Sequence, residues 1–265
     1  MKLAITGKGG VGKTTLASML ANLYAAEGYT VLAIDADPDT NLASALGIPA
    51  EEAQAIAPIS QMEDLIEERT GMRPGTSGGF FKLNPRVDDI PERFCLTRNG
   101  IKLLVLGTVK KGGGGCVCPE NVLLRSLVQH LFLGRSEVVI VDMVAGIEHL
   151  GRATAQGVDA LIAVVEPGMR SLGTAQAIRK LGQDIGIQRC YAVGSKVTND
   201  SDRDFITQNL PDFTVLGFIS YSPLIQQADL LGTDVFHHAP QAAAEARGIK
   251  ARLESLLREE SVANR

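Results

Sequence analysis

Nine consecutive residues near the start of the chain, Gly7-Lys8-Gly9-Gly10-Val11-Gly12-Lys13-Thr14-Thr15, combine four glycines, two lysines and two threonines. Glycine lets the backbone turn tightly enough for successive N–H groups to converge on an anion, and a helix opening directly after the loop adds its own unsatisfied donors. Gly7, Gly9, Gly10, Val11, Gly12 and Thr15 supply this backbone cradle. Lys13 is placed to reach β- and γ-phosphates, and the Thr14 hydroxyl to ligate Mg²⁺. The loop follows the apolar run Leu3–Thr6 and opens the helix-forming run Thr14–Glu27, the context such a loop requires. ATP/ADP and Mg²⁺ are therefore the expected cofactors, and phosphoryl transfer to water the expected reaction.

Two further apolar runs end in carboxylates. Thr30–Ile34 is followed by Asp35-Ala36-Asp37-Pro38-Asp39, and Val138–Val141 by Asp142. A carboxylate at the C-terminal end of a parallel strand lies beside the phosphates at the binding edge of the sheet. Asp39 reads as a solvated turn residue. A second chemistry is written in Gly112-Gly113-Gly114-Gly115-Cys116-Val117-Cys118-Pro119-Glu120-Asn121. In an extended segment Cys116 and Cys118 point to one face, so two thiolates are presented together. A borderline metal takes four such ligands, one chain supplies two here, and a two-fold axis through the loop would supply the rest. The alternative is a pair of small residues packed in a turn; the four preceding glycines argue against it. Cys95 and Cys190 read as packed thiols.

The elements that must carry these groups recur along the chain. Besides the three runs above, Lys102–Leu106, Ala160–Val165, Tyr191–Val193 and Val215–Ile219 look like buried parallel strands. Helical stretches lie between them, with Gly28, Gly134 and Gly182 as stop signals after Glu27, Phe132 and Leu181. Alternation of this kind predicts an α/β fold: a doubly wound, mostly parallel sheet with helices on both faces. The 265 residues read as one domain, with an irregular insertion at about 50–99 and a C-terminal helix at about 241–265. Net charge is −4, which offers nucleic acid no overall positive field. Four cysteines are too few for a secreted disulfide framework, and no apolar run approaches the length of a membrane span. The expected setting is cytoplasmic, with neither nucleic acid nor membrane as partner.

With Lys8 opening the loop, the sequence resembles the deviant Walker A group of P-loop ATPases, which includes the nitrogenase iron protein and the site-placement and plasmid-partition ATPases. The resemblance implies that Lys8 reaches across a two-fold axis to the nucleotide of a partner subunit. It also implies catalytic roles for Lys8, Lys13 and Asp37. Asp37 orients the attacking water, Asp35 lies near the metal, and Asp142 matches the Walker B aspartate that holds Mg²⁺. Asp142-Met143-Val144-Ala145-Gly146-Ile147-Glu148 resembles the second switch of these proteins, in which the Gly146 amide senses the γ-phosphate while Asp37 serves the first.

The CxC run and Ala145-Gly146-Ile147-Glu148-His149-Leu150-Gly151-Arg152 narrow the resemblance to the CooC-type accessory ATPases that assist nickel insertion into carbon monoxide dehydrogenase. That implies a homodimer with one Ni²⁺ or Zn²⁺ on the paired Cys116 and Cys118 of two chains, dimerisation and metal transfer controlled by nucleotide, and carbon monoxide dehydrogenase as client. Two positions depart from the pattern. Val144 stands where an acidic residue is expected, and the base-reading segment is Gly194-Ser195-Lys196-Val197-Thr198-Asn199, making Ser195, Lys196 and Asn199 the candidates for contact with the base. His149 reads as switch packing and His237-His238 as a surface turn. Two other functions compete: an iron-sulfur electron-donating reductase, which would need a cysteine after the second switch that residues 143–189 lack, and a partition or positioning ATPase, for which the C-terminal helix, with no aromatic and with Glu254, Glu259 and Glu260 among its basic residues, is a poor fit to an anionic surface.

Overall fold

All residues of β1 (Lys2–Thr6), β2 (Val31–Ala36), β5 (Val138–Met143) and β6 (Ala160–Val165) are buried, which is why these runs are apolar without alternation. The computed structural model describes residues 1–76, 80–107, 118–133, 137–145 and 157–263. Among them, β3 (Leu96–Arg98), β4 (Ile101–Val105), β7 (Cys190–Val197) and β8 (Thr214–Ser220) complete one eight-stranded sheet in the order β3-β4-β2-β5-β1-β6-β7-β8. Every pairing is parallel except β3 with β4.

The helices among these residues are α1 (Lys13–Ala26), α2 (Leu42–Ala45), α3 (Ala50–Gln54), α4 (Glu63–Thr70), α5 (Ile90–Phe94), α6 (Pro119–Leu133), α7 (Met169–Ile185), α8 (Asp200–Asn209), α9 (Pro223–Leu231), α10 (Val235–His238) and α11 (Pro240–Ala263). Alternate strand residues face opposite layers. Leu3, Ile5, Ala33 and Ile140 pack with Leu16 and Leu20 of α1 and Ile249 and Leu253 of α11. Ala4, Leu32, Val139 and Val141 pack with Leu65 and Ile66 of α4 and Leu127 and Leu131 of α6. The sheet is thus covered on both faces, as the alternation of elements predicts.

Three details differ from the sequence reading. The segment 50–99 is not simply irregular: it forms α3, α4, α5 and β3, and its Ile59, Val87 and Ile90 join the core beneath α6. Strand β3 turns into β4 through Asn99 and Gly100, both at positive φ, 50° and 79°. The C-terminal stop of α7 lies at Gly186, at φ 96°, and not at Gly182. Gly182 lies inside the helix because it faces β6: a Cβ there would sit 3.1 Å from Leu161 Cδ2, so its missing side chain lets helix and sheet approach.

The order of strands reverses around β1, whose neighbours are β5 and β6. The carboxyl ends of β1, β2 and β5 therefore open onto one crevice, where a parallel sheet of this kind binds its ligand.

Candidate nucleotide site

The loop after β1 is held by close backbone contacts that exclude side chains. A Cβ on Gly7 would collide with the Val164 carbonyl of β6, and one on Gly12, at φ 96°, would lie 2.9 Å from Ser195 Oγ of β7. Gly12 is also the N-cap of α1; no side chain caps that end and no acidic residue stands in its first turn. The first N–H groups of a 14-residue helix are thereby left for a bound anion. A cavity of about 610 Å³ opens in front of them, lined by Gly10, Lys13, Thr15, Asp37, Asn41 and Gln226 among others.

Three buried charged groups, Lys13, Asp35 and Asp142, lie together, Lys13 in the cavity wall and the two carboxylates behind it. Lys13 Nζ lies 3.6 Å from Asp37 Oδ2. The Thr14 hydroxyl donates to Asp142 Oδ2 at 2.5 Å, while Asp142 Oδ1 is buried without a hydrogen-bond partner. Burial pushes the Asp142 carboxyl up to about 7, opposed by the Thr14 bond. Asp35 accepts from the Asp37 and Leu42 amides at 3.1 and 3.0 Å, yet burial still raises it to about 6. A hydroxyl, an orphaned carboxylate oxygen and a second buried carboxylate form an oxygen-only donor set, which fits a hard divalent cation such as Mg²⁺. Asp37 stands nearer the mouth and accepts from the Asp39 amide at 3.0 Å, so Asp39 is held in an exposed turn. The structure brings Lys13, Thr14, Asp35, Asp37 and Asp142 together, from β1–α1, β2 and β5.

Beside the loop lies a smaller cleft of about 60 Å³ lined by Gly12, Thr15, Ser195, Lys196, Tyr221 and Gln226 among others. Ser195 is buried and Lys196 half-exposed, at φ 56°, where the register of β7 against β8 shifts. Asn199 stands outside this cleft. Its side chain caps α8, accepting from the Asp202 amide at 3.0 Å and donating to Thr198 Oγ1 at 3.0 Å, so the geometry does not carry its assignment to the base. Two groups had no signal in the sequence. Glu166, just past β6, pairs with Lys8 and Lys196, and Gln226 on α9 lines both cavities, its Oε1 accepting from Tyr221 Oη at 3.4 Å. Neither sits in a recognisable spacing; chain crossovers deliver both.

Cys116, Gly146 and His149 lie outside the described residues. Cys118 is half-buried and immediately precedes α6, where its carbonyl accepts from the Val122 amide at 3.1 Å. Among the described residues no three His, Cys, Asp or Glu side chains are grouped to hold a metal ion. Cys95 and Cys190 pack against the buried core, and burial pushes the Cys190 thiol up to about 12. His237 Nδ1 lies 2.8 Å from Asp234 Oδ2 in the exposed turn at α10. No helix among the described residues is long and apolar enough to cross a membrane.

Residues 2–235 match the profile of the CobQ/CobB/MinD/ParA nucleotide binding domain. Over 253 residues the chain is 49% identical to the carbon monoxide dehydrogenase accessory protein CooC of Rhodospirillum rubrum, covering 96% of each chain. It is 47% identical over 238 residues to an uncharacterized ATP-binding protein of Methanocaldococcus jannaschii, covering 89% of this chain and 91% of that one. In the solved MinC:MinD cell division protein complex of Aquifex aeolicus, a chain superimposes with a TM-score of 0.69 at 19% identity, covering 96% of both chains, a likeness of fold.

Proposed function

The chain is an ATPase of the CobQ/CobB/MinD/ParA nucleotide-binding family, and from that premise we propose that it is a carbon monoxide dehydrogenase accessory protein, a nucleotide-controlled homodimer that carries Ni²⁺ or Zn²⁺ on inter-subunit CxC thiolates for insertion of nickel into the enzyme. The observation that carries this reading is the 49% identity extending over 96% of both chains to a protein of that name. It is supported by the sequence Cys116-Val117-Cys118, whose last residue immediately precedes α6, in a setting that would be cytoplasmic and reducing.

Within this reading the residues take the following parts. The loop amides and Lys13 receive the β- and γ-phosphates, for which Lys13 must leave Asp37, 3.6 Å away. Thr14 and Asp142, with Asp35 behind them, would hold Mg²⁺. That ion, when bound, neutralises charge on the phosphoryl oxygens. Asp37, released from Lys13, accepts a hydrogen bond from water and orients it for attack. Ser195 and Lys196 flank the base from the smaller cleft. Lys8 meets the nucleotide of the partner subunit, and Gly146 reads the γ-phosphate in the second switch. The metal is cargo and carbon monoxide dehydrogenase the client.

Titration with Ni²⁺, and separately with Zn²⁺, with and without ATP and with mass followed in solution, tests the proposal. The expected result is one metal ion per two chains, a dimeric mass, and loss of tight metal binding but not of ATP binding in a Cys116→Ala/Cys118→Ala double variant. Unchanged stoichiometric metal binding in that variant overturns the cargo site.

A further inference from the structure

Both lysines of the phosphate loop are paired with carboxylates before any phosphate enters. Lys13 faces Asp37, and Lys8 Nζ lies 3.4 Å from Glu166 Oε1. The other oxygen of Glu166, Oε2, lies 3.8 Å from Lys196 Nζ. These three side chains come from separate segments, and each is held where it is by its backbone. Glu166 donates its amide to the buried Ser171 Oγ at 3.1 Å, anchoring the residue to the first turn of α7. Gly7 presses on the Val164 carbonyl two residues before Glu166, which keeps the loop against the end of β6. Lys196 has a left-handed backbone, uncommon for a residue with a side chain, where the register shift in β7 re-aims it toward Glu166.

We infer that Glu166 is a positioning residue for Lys8: it holds the lysine ammonium at the rim of the phosphate cradle and yields it to a nucleoside polyphosphate, while Lys196 neutralises the carboxylate left behind. The Lys8 and Glu166 side chains are 42% and 28% exposed, so their pair is weak enough to exchange. A polyphosphate brings several negative charges against one carboxylate. Lys8 then changes partner only when nucleotide is present, on its own loop or on that of a second subunit. This rests on the phosphate-cradle reading of the loop.

The test is a double-mutant cycle on the affinity for a non-hydrolysable ATP analogue, using the full chain as wild type, Glu166→Gln, Lys8→Ala and the double variant, at low and at raised salt. Glu166→Gln keeps the backbone bond to Ser171 and the side-chain volume. It should tighten binding by roughly two- to fivefold at low salt, the range an exposed ion pair covers. The gain should shrink at raised salt, because exposed charges are screened, and vanish in the Lys8→Ala background. An equal gain with and without Lys8, or no gain at all, overturns the inference. Lys13→Ala, run alongside, tests the cradle separately. If it abolishes binding while Glu166→Gln changes nothing, the inference alone falls; if it binds like wild type, the cradle reading falls with it.

Discussion

Each ionisable group at the floor of the site is set by what it touches. Asp142 and Asp35 lie too deep for water to stabilise their charge, so their carboxyls are pushed up to about 7 and about 6. Asp142 Oδ1 is buried and unpaired, a cost that a folded protein seldom retains without a ligand to offset it. Asp37 differs: it stands nearer the mouth, with a lysine on one oxygen and a backbone amide on the other. In the proposed mechanism, removing its carboxylate frees Lys13 for phosphate and removes the group that would orient water. Asp37→Ala should therefore bind ATP at least as tightly as wild type and hydrolyse it at least ~100-fold more slowly, the scale of a lost positioned base. Equilibrium titration and single-turnover hydrolysis would separate the two effects, and wild-type turnover would remove the role from Asp37.

Among the elements, α1 carries the phosphate loop at one end and is fastened at the other by α11. Lys250 on α11 is buried with its Nζ 2.8 Å from Glu27 Oε2, 2.9 Å from Glu254 Oε1 and 4.5 Å from the ring centroid of Tyr24. Its long stem packs while its ammonium finds two carboxylates and an aromatic face. Lys250→Ala should lower stability by about 1–3 kcal/mol in urea unfolding, through lost packing and lost charge contacts together. Lys250→Met should recover part of that, since it refills the volume without a charge to pair. ATP affinity should not change in either variant, because the loop begins a helix length away, about 21 Å for 14 residues at 1.5 Å each. A fall in affinity would mean that the two ends of α1 are mechanically coupled.

For the whole molecule, the proposed metal site would be incomplete in one chain, since Cys116 and Cys118 would supply two of the four ligands a tetrahedral ion takes. Nucleotide and metal would then both favour the dimer, and Lys8 would be the residue through which nucleotide does so. Lys8→Ala should bind ATP but remain monomeric by light scattering when ATP is added without metal, whereas wild type should double its mass. Doubling of the mass in both would show that Lys8 does not bridge subunits.

Much of this was legible in the residue order, for local physical reasons. A Gly-rich loop between an apolar run and a helix former is a contiguous motif, and fully buried strands must be apolar on both faces, so the loop, the parallel sheet and the aspartates ending β2 and β5 could be read directly. The short β3 is not among the runs that read as strands, although Asn99-Gly100, a two-residue turn with both φ angles positive, is a local sign of it. What only the tertiary structure decided is which distant segments meet. Gly182 looks like a helix stop until Leu161 is seen pressing within 3.1 Å of where its Cβ would be. Glu166 looks like any loop carboxylate until β6 and β7 bring it between Lys8 and Lys196. Spacing along a chain constrains neighbours within a few residues; contacts across a crossover depend on strand order and packing, which no local pattern encodes.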